Sequence, residues 1–463
     1  MSYLWIQGGN KLEGKLPVSG AKNSVLPLLA ASVLFREECV IHNIPDLTDV
    51  QAAVEILRSL GCTVRMQGST AWIRAGGLGQ TSLPKERMGA MRSSILFLGP
   101  VLARLGRCSF CMPGGCSLGS RPIDMHLDGL KTMGARIIWD WDCLTACGKL
   151  KGNKLVLPYP SVGATENLIL AALGAEGTTV IYNAAREPEI GDLIGFLTLG
   201  GARIYGRGTS MLQIEGGLPD GVEYTVMPDR MEAATFLAAA AATGGELCLS
   251  GARADHLEAV LQVLEASGCR LWCEPEAICL KGPDRLQSPG VIRTAPYPGF
   301  PTDAQAPLMA ALTRAVGVTV FDETVFSHRY RHVPALRKLG ADIRTAGTVA
   351  SVCGVPELHG AYMTATDLRG GAAMAVGALA AQGESRIDGL SHIFRGYGSF
   401  HTRLRVLGAD VKIVEDEPAD TCQGGIYNGL GTEGTEADGP EKAAPASEFQ
   451  RFTPPNGGEP ATP

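Results

Sequence analysis

Twelve consecutive residues concentrate reactive groups: Pro113-Gly114-Gly115-Cys116-Ser117-Leu118-Gly119-Ser120-Arg121-Pro122-Ile123-Asp124. Three glycines and two prolines in that span exclude a regular helix or strand, because glycine permits left-handed backbone and proline ends hydrogen-bonded runs. The segment therefore reads as a loop. A thiol, a guanidinium and a carboxylate on one pliable loop suit chemistry on an anionic substrate. A surface loop with an incidental cysteine is the competing interpretation, and the loop alone does not decide between them.

Polar clusters elsewhere open Ala/Leu-rich helical patterns: Lys22-Asn23, Arg92-Ser93, Ser161 to Thr165, Asp229-Arg230, Thr302-Asp303 and Asp367 to Arg369. Pro27 and Pro307 each follow such a cluster by four residues, which sets helix starts near Asn23 and Asp303. A helix N-terminus offers free N–H groups and partial positive charge, so it favours anions. Capping alone accounts for Asn, Asp, Ser and Thr there. It does not account for Lys22, Arg92 or Arg369, since a cation opposes the dipole; a bound anion would.

The elements that must position these residues repeat. An amphipathic helix, a glycine and a β-prone run recur at Gly61, Gly134, Gly201, Gly268, Gly340 and Gly408, about 70 residues apart. The polar clusters keep the same phase. Six units of this length, too long for common solenoid repeats, predict βαβα-type modules with extra strands, divided near Met227-Pro228.

With 463 residues the chain is long enough for two or more cores, and its net charge of −6 argues against general nucleic-acid binding. No apolar run reaches the roughly 20 residues of a membrane span, and Met1 to Asn10 lacks a signal-peptide pattern, so a cytoplasmic protein is expected. Thirteen cysteines in a chain of this size do not make a disulfide scaffold. Cys108, Cys111 and Cys116 cluster, but no histidine stands at finger spacing, so no metal site is expected. Residues 415–463 are rich in Gly, Glu, Pro, Ala and Thr and read as a disordered tail.

The Cys116 loop closely resembles the Pro-Gly-Gly-Cys-x-x-Gly-x-Arg-Pro loop of the UDP-N-acetylglucosamine 1-carboxyvinyltransferases, in the enolpyruvyl transferase family. Ser-Gly-Ala-Lys-Asn at Lys22, Gly-Phe-Pro-Thr-Asp at Asp303, Thr-Asp-Leu-Arg at Arg369 and Arg-Gly-Tyr at Arg395 resemble the same family, over about Gly8 to Val414. The resemblance implies an α/β fold: a two-lobed inside-out α/β barrel, EPSP synthase-like, of six βαβαββ-like units, three per lobe. It implies a first lobe of residues 21–228 and a second of 1–20 with 229–414. The implied reaction moves enolpyruvyl from phosphoenolpyruvate to the 3′-hydroxyl of UDP-N-acetylglucosamine, with phosphate released and no cofactor.

The resemblance also implies roles. Cys116 is the general acid and Asp303 the general base. Lys22, Arg121 and Arg395 hold phosphate, and Arg329 and Arg369 hold carboxylate. Asn23, Arg92, Arg121, Pro122, Ile123, Asp124, Met125, Ser161, Val162, Gly163, Asp303 and Val325 bind the nucleotide sugar. From local sequence alone, Asp303 is equally an N-cap carboxylate. The chain departs from the family at Phe394 and Gly398 around Arg395, at Ser327-His328 before Arg329, at Thr48, and at Tyr159-Pro160, where some members carry lysine. The sister enzyme 5-enolpyruvylshikimate-3-phosphate synthase lacks the cysteine loop. A non-catalytic paralogue that binds nucleotide sugar is the third reading.

Overall fold

The computed structural model describes residues 2–83, 92–111, 123–141 and 143–415; of Arg92 and Cys111 it describes the backbone. The loop that carries Cys116, Arg121 and Pro122, and the tail from 416, lie outside the described residues. The last strand, Asp410–Glu415, includes the residue at which the tail was expected to begin.

Among the described residues, each of six four-stranded sheets is built the same way. In one, Ser82–Leu83 runs parallel to Arg107–Cys111, which is antiparallel to Cys143–Cys147, which is antiparallel to Arg136–Asp140. The helix Leu98–Leu105 links the first two strands, Asp124–Thr132 leads to the third, and a hairpin makes the fourth. This is a βαβαββ unit with spatial order 1-2-4-3. Three sheets borrow a distant strand: Val222–Thr225 joins Cys39–His42, Glu13–Pro17 joins Glu246–Ser250, and Ser2–Gln7 lies between Glu384–Asp388 and Asp410–Glu415.

All six marker glycines have left-handed φ, from 90° at Gly408 to 100° at Gly134. They end the outer helices and turn the chain into the next strand, as the repeat predicts. The linking helices differ from the outer ones. Arg230–Thr243 and Leu368–Ala380 are buried along nearly their whole length. Alanine and glycine dominate them, with no polar face to offer water, so they must lie inside. Together with Thr302–Leu312 they pack mutually, and the sheets cover them. Strands such as Glu246–Ser250 alternate buried and exposed residues accordingly.

The buried apolar residues form two clusters, one spanning Val25 to Val226 and one combining Leu4 to Val18 with Met231 to Val411. The chain passes between them at Gly20 and Pro228, which bridge each other. A Cβ on Gly20 would stand 1.8 Å from the Asn43 carbonyl oxygen, so no larger residue fits that crossing.

Two findings were not anticipated. Cys248 and Cys279, opposite each other on adjacent strands, form a disulfide. Pro27 and Pro307 sit in the second turn of Lys22–Ala31 and Thr302–Leu312, not the first. Each removes the N–H that would bond the carbonyl four residues back, those of Asn23 and Asp303. The helix starts nevertheless fall within one residue of the predicted positions.

Candidate active site

Among the described residues the cations converge on two carboxylates. Lys22, the first residue of its helix, places Nζ 2.8 Å from Asp49 Oδ2. Arg395 donates from Nε and Nη2 to the two Asp49 oxygens at 2.9 and 3.2 Å. Asp49 is in the first turn of Thr48–Ser59, and Arg395 follows the short helix Leu390–Ile393. Burial opposes charge on Asp49, but Lys22 and Arg395 outweigh it and hold the carboxyl below its ordinary range. Burial pushes the Lys22 ammonium below its ordinary value despite Asp49, and the nearby charges of Arg369 and Arg395 add to that.

The second carboxylate is Asp303, in the first turn of Thr302–Leu312. Arg329 Nη2 donates to Asp303 Oδ1 and to the Thr302 carbonyl, both at 3.0 Å. Arg369 donates from Nη2 and Nε to Asp303 Oδ2 at 2.9 and 3.2 Å. Its Nη1 donates to Tyr397 Oη at 2.8 Å. Thr235 gives its proton to the Met231 carbonyl, so Tyr397 donates in turn to Thr235. This relay fixes the Arg369 fork. Burial opposes the Arg369 charge, and Tyr397, Asp303 and Asp229 more than offset it. The buried Nε of Arg329 has no hydrogen-bond partner among the described residues.

The anion demanded at these helix N-termini is therefore supplied, in this structure, by the chain's own carboxylates. Asp229 caps Arg230–Thr243 through Met231 and Glu232 and also accepts the backbone N–H of Lys22 at 3.0 Å. Leu368–Ala380 is capped by Asp367.

A cavity of about 500 Å³ adjoins Asp303 and lies between the two core clusters. Asn23, Ile123, Met125, Ser161, Val162, Gly163, Asp303 and Val325 line it. Lys22, Arg329, Arg369 and Arg395 belong to the charge clusters beside it, and Asp124, exposed in the first turn of its helix, is not in the wall. Ser161 caps Val162–Leu173 by accepting Ala164 N–H, which leaves the N–H end of that helix at the cavity.

Sequence reasoning missed several residues of this region. Glu323 accepts the N–H groups of Val325 and Phe326 and the Thr302 hydroxyl, so it sets the wall beside Asp303. Glu189 and Arg230 form a buried two-point pair at 2.9 and 3.1 Å across the cavity's edge, between residues of the two clusters' chain segments. Glu187 accepts the Tyr297 N–H at 3.2 Å. The signal for Asp49 and Glu189 was an acid in a helix's first turn, which ordinary dipole and capping preferences also produce. Tyr397 stood in plain view beside Arg395.

Known proteins give this geometry a family. The model of EPSP synthase (3-phosphoshikimate 1-carboxyvinyltransferase) matches residues 6–404. UDP-N-acetylglucosamine 1-carboxyvinyltransferase 1 of Symbiobacterium thermophilum is 46% identical over 417 residues, covering 88% of this chain and 94% of that one. The chain belongs to the EPSP synthase-like enolpyruvyl transferases. Another member, the UDP-N-acetylglucosamine 1-carboxyvinyltransferase of Gluconobacter oxydans, is 43% identical over 90% of this chain and its own full length. The solved enolpyruvyl transferase NikO from Streptomyces tendae superposes with a TM-score of 0.81 at 25% identity, over 89% of this chain and 98% of that one. EPSP synthase from Acinetobacter baumannii, at 19% identity and a TM-score of 0.69, shares the fold. Among the described residues of this enolpyruvyl transferase, no helix is long and apolar enough to cross a membrane.

Proposed function

We propose that this chain transfers enolpyruvyl from phosphoenolpyruvate to the 3′-hydroxyl of UDP-N-acetylglucosamine, in the cytoplasm, as the first committed step of peptidoglycan precursor synthesis. The observation that carries the reading is Asp303, held by two arginines while it lines the cavity. A carboxylate so placed can meet a sugar hydroxyl and a carboxylate-bearing cosubstrate together. The names of the 43–46% identical relatives favour this acceptor over shikimate 3-phosphate.

In this reading the two lobes are residues 21–228 and residues 1–20 with 229–414. Asn23, Ser161, Val162, Gly163 and Val325 seat the nucleotide sugar in the cavity, with Arg92, Arg121, Pro122, Ile123, Asp124 and Met125 completing its contacts. Arg329 and Arg369 take the carboxylate of phosphoenolpyruvate as bidentate forks, and Lys22, Arg121 and Arg395 take its phosphate. Asp303 accepts the 3′-hydroxyl proton as the sugar oxygen bonds to C2 of phosphoenolpyruvate. Cys116 delivers a proton to C3, giving a tetrahedral ketal. Loss of a C3 proton and cleavage of the C2–O bond to phosphate then release inorganic phosphate and leave the enol ether. Cations near Cys116 favour the thiolate, whereas bound substrate charge favours the thiol that the protonation needs. An epoxide such as fosfomycin would alkylate the same sulfur.

Phosphate release tests the reading. Turnover is expected with UDP-N-acetylglucosamine and none with shikimate 3-phosphate. The reverse preference makes the chain an EPSP synthase, and no release with either makes it a binding protein.

A further inference from the structure

One acidic side chain in the cavity wall is not used by anything described so far. Glu166 lies in the second turn of Val162–Leu173, between Thr165 and Asn167. Thr165 accepts the Ala185 N–H, and Asn167 is committed to Gly99, Ile95 and His126. Glu166 is 4% exposed, its Oε1 has no hydrogen-bond partner among the described residues, and the residue lines the cavity. A buried polar atom left without a partner is costly, so a chain retains one where something else supplies the bond.

The surroundings say what kind of group that is. Glu187 and Glu189 approach from the turn and helix of Pro188–Leu199, and Tyr159 comes from the segment before Glu166's own helix. Arg230, from Arg230–Thr243, is taken by both oxygens of Glu189. Burial, then Glu189 and Glu187, push the Glu166 carboxyl well above its ordinary range. That favours the neutral carboxyl, which has one O–H to give. An anion would find repulsion here, and a carbonyl oxygen would find a donor.

We infer that Glu166 is a specificity-determining residue that donates a hydrogen bond to an amide-type carbonyl of the acceptor. The inference rests on the acceptor reading above. UDP-N-acetylglucosamine offers such a carbonyl at two places, the acetamido group and the uracil ring.

The full-length enzyme, assayed with phosphoenolpyruvate and UDP-N-acetylglucosamine, tests it through Glu166→Leu and Glu166→Gln. The leucine variant should raise KM for the nucleotide sugar roughly 10-fold, the scale of one net hydrogen bond, with kcat within about 2-fold. Glutamine keeps a donor and should recover most of the loss. Wild-type KM should rise towards alkaline pH as the proton leaves, a rise that Glu166→Gln should lack. UDP-glucose, with a hydroxyl in place of the acetamido group, separates the two places. A leucine penalty that vanishes with UDP-glucose assigns the acetamido group, and one that persists assigns uracil. Equal KM in all three enzymes, or a glutamine variant as impaired as leucine, overturns the inference and leaves the acceptor reading standing. Absent wild-type turnover would overturn the reading first.

Discussion

Asp49 and Asp303 each hold two cations, and they do so in opposite settings. Asp49 is 3% exposed and ties Lys22, from the chain segment of one core cluster, to Arg395, from that of the other. Asp303 is 27% exposed, and both its arginines belong to its own segment. The first arrangement joins two parts of the molecule around a buried carboxylate. The second aims a carboxylate at a cavity and leaves a face open. The same charge pattern thus ties two segments together in one place and leaves a carboxylate at the cavity in the other, and the exposure of the carboxylate tells them apart.

The largest expected effect is on Asp303. Asp303→Asn should lower kcat on the order of 10³-fold, the scale of a lost general base. A fall below about 10-fold would reduce Asp303 to orienting the hydroxyl and would erase the contrast. Asp49→Asn comes next, because it leaves two cations facing a neutral amide at a buried site. Chemical denaturation should show a loss of about 3 kcal/mol. The sign of its pH dependence follows from the lowered carboxyl pKa. The stabilisation is complete above the ordinary carboxylate range and disappears as pH falls through the depressed folded value. Wild-type stability should therefore fall on acidification more steeply than that of Asp49→Asn; parallel profiles would show that Asp49 is not the bridge described. Deleting Glu417 to Pro463 should have the smallest effect, within about 0.5 kcal/mol in stability, and should leave the losses in both variants unchanged. A tail that alters either loss would mean that the two carboxylates answer to groups beyond Glu415.

The sequence carried the fold chiefly through backbone necessity. Six glycines that must be left-handed marked six helix ends, and the six polar clusters marked six helix starts, one of them, at Arg92, a 3-10 turn rather than an α-helix. What it did not carry by pattern was partnership. Nothing local to Glu13–Pro17 says that it pairs with Glu246–Ser250. The site divides along the same line. Asn23, Ser161 and Asp303 stood out because they sit in polar clusters that open helices, Asn23 beside an unexpected cation. Asp49 and Glu323 resembled ordinary capping or strand-end acids, and only tertiary contact distinguishes them. Glu166 did leave a trace: an acid inside a helix that is otherwise almost wholly buried must itself be buried.

The position of Ser2–Gln7 has a consequence for synthesis. Its partners are Glu384–Asp388 and Asp410–Glu415, so this strand waits for segments translated much later. The three sheets between Cys39 and Thr225 draw on no residue outside that span and can close earlier. A nascent chain on the ribosome would then carry one finished body preceded by two unpaired strands, Ser2–Gln7 and Glu13–Pro17. Those strands are the place where a holdase chaperone, or a protease, would find this chain before release.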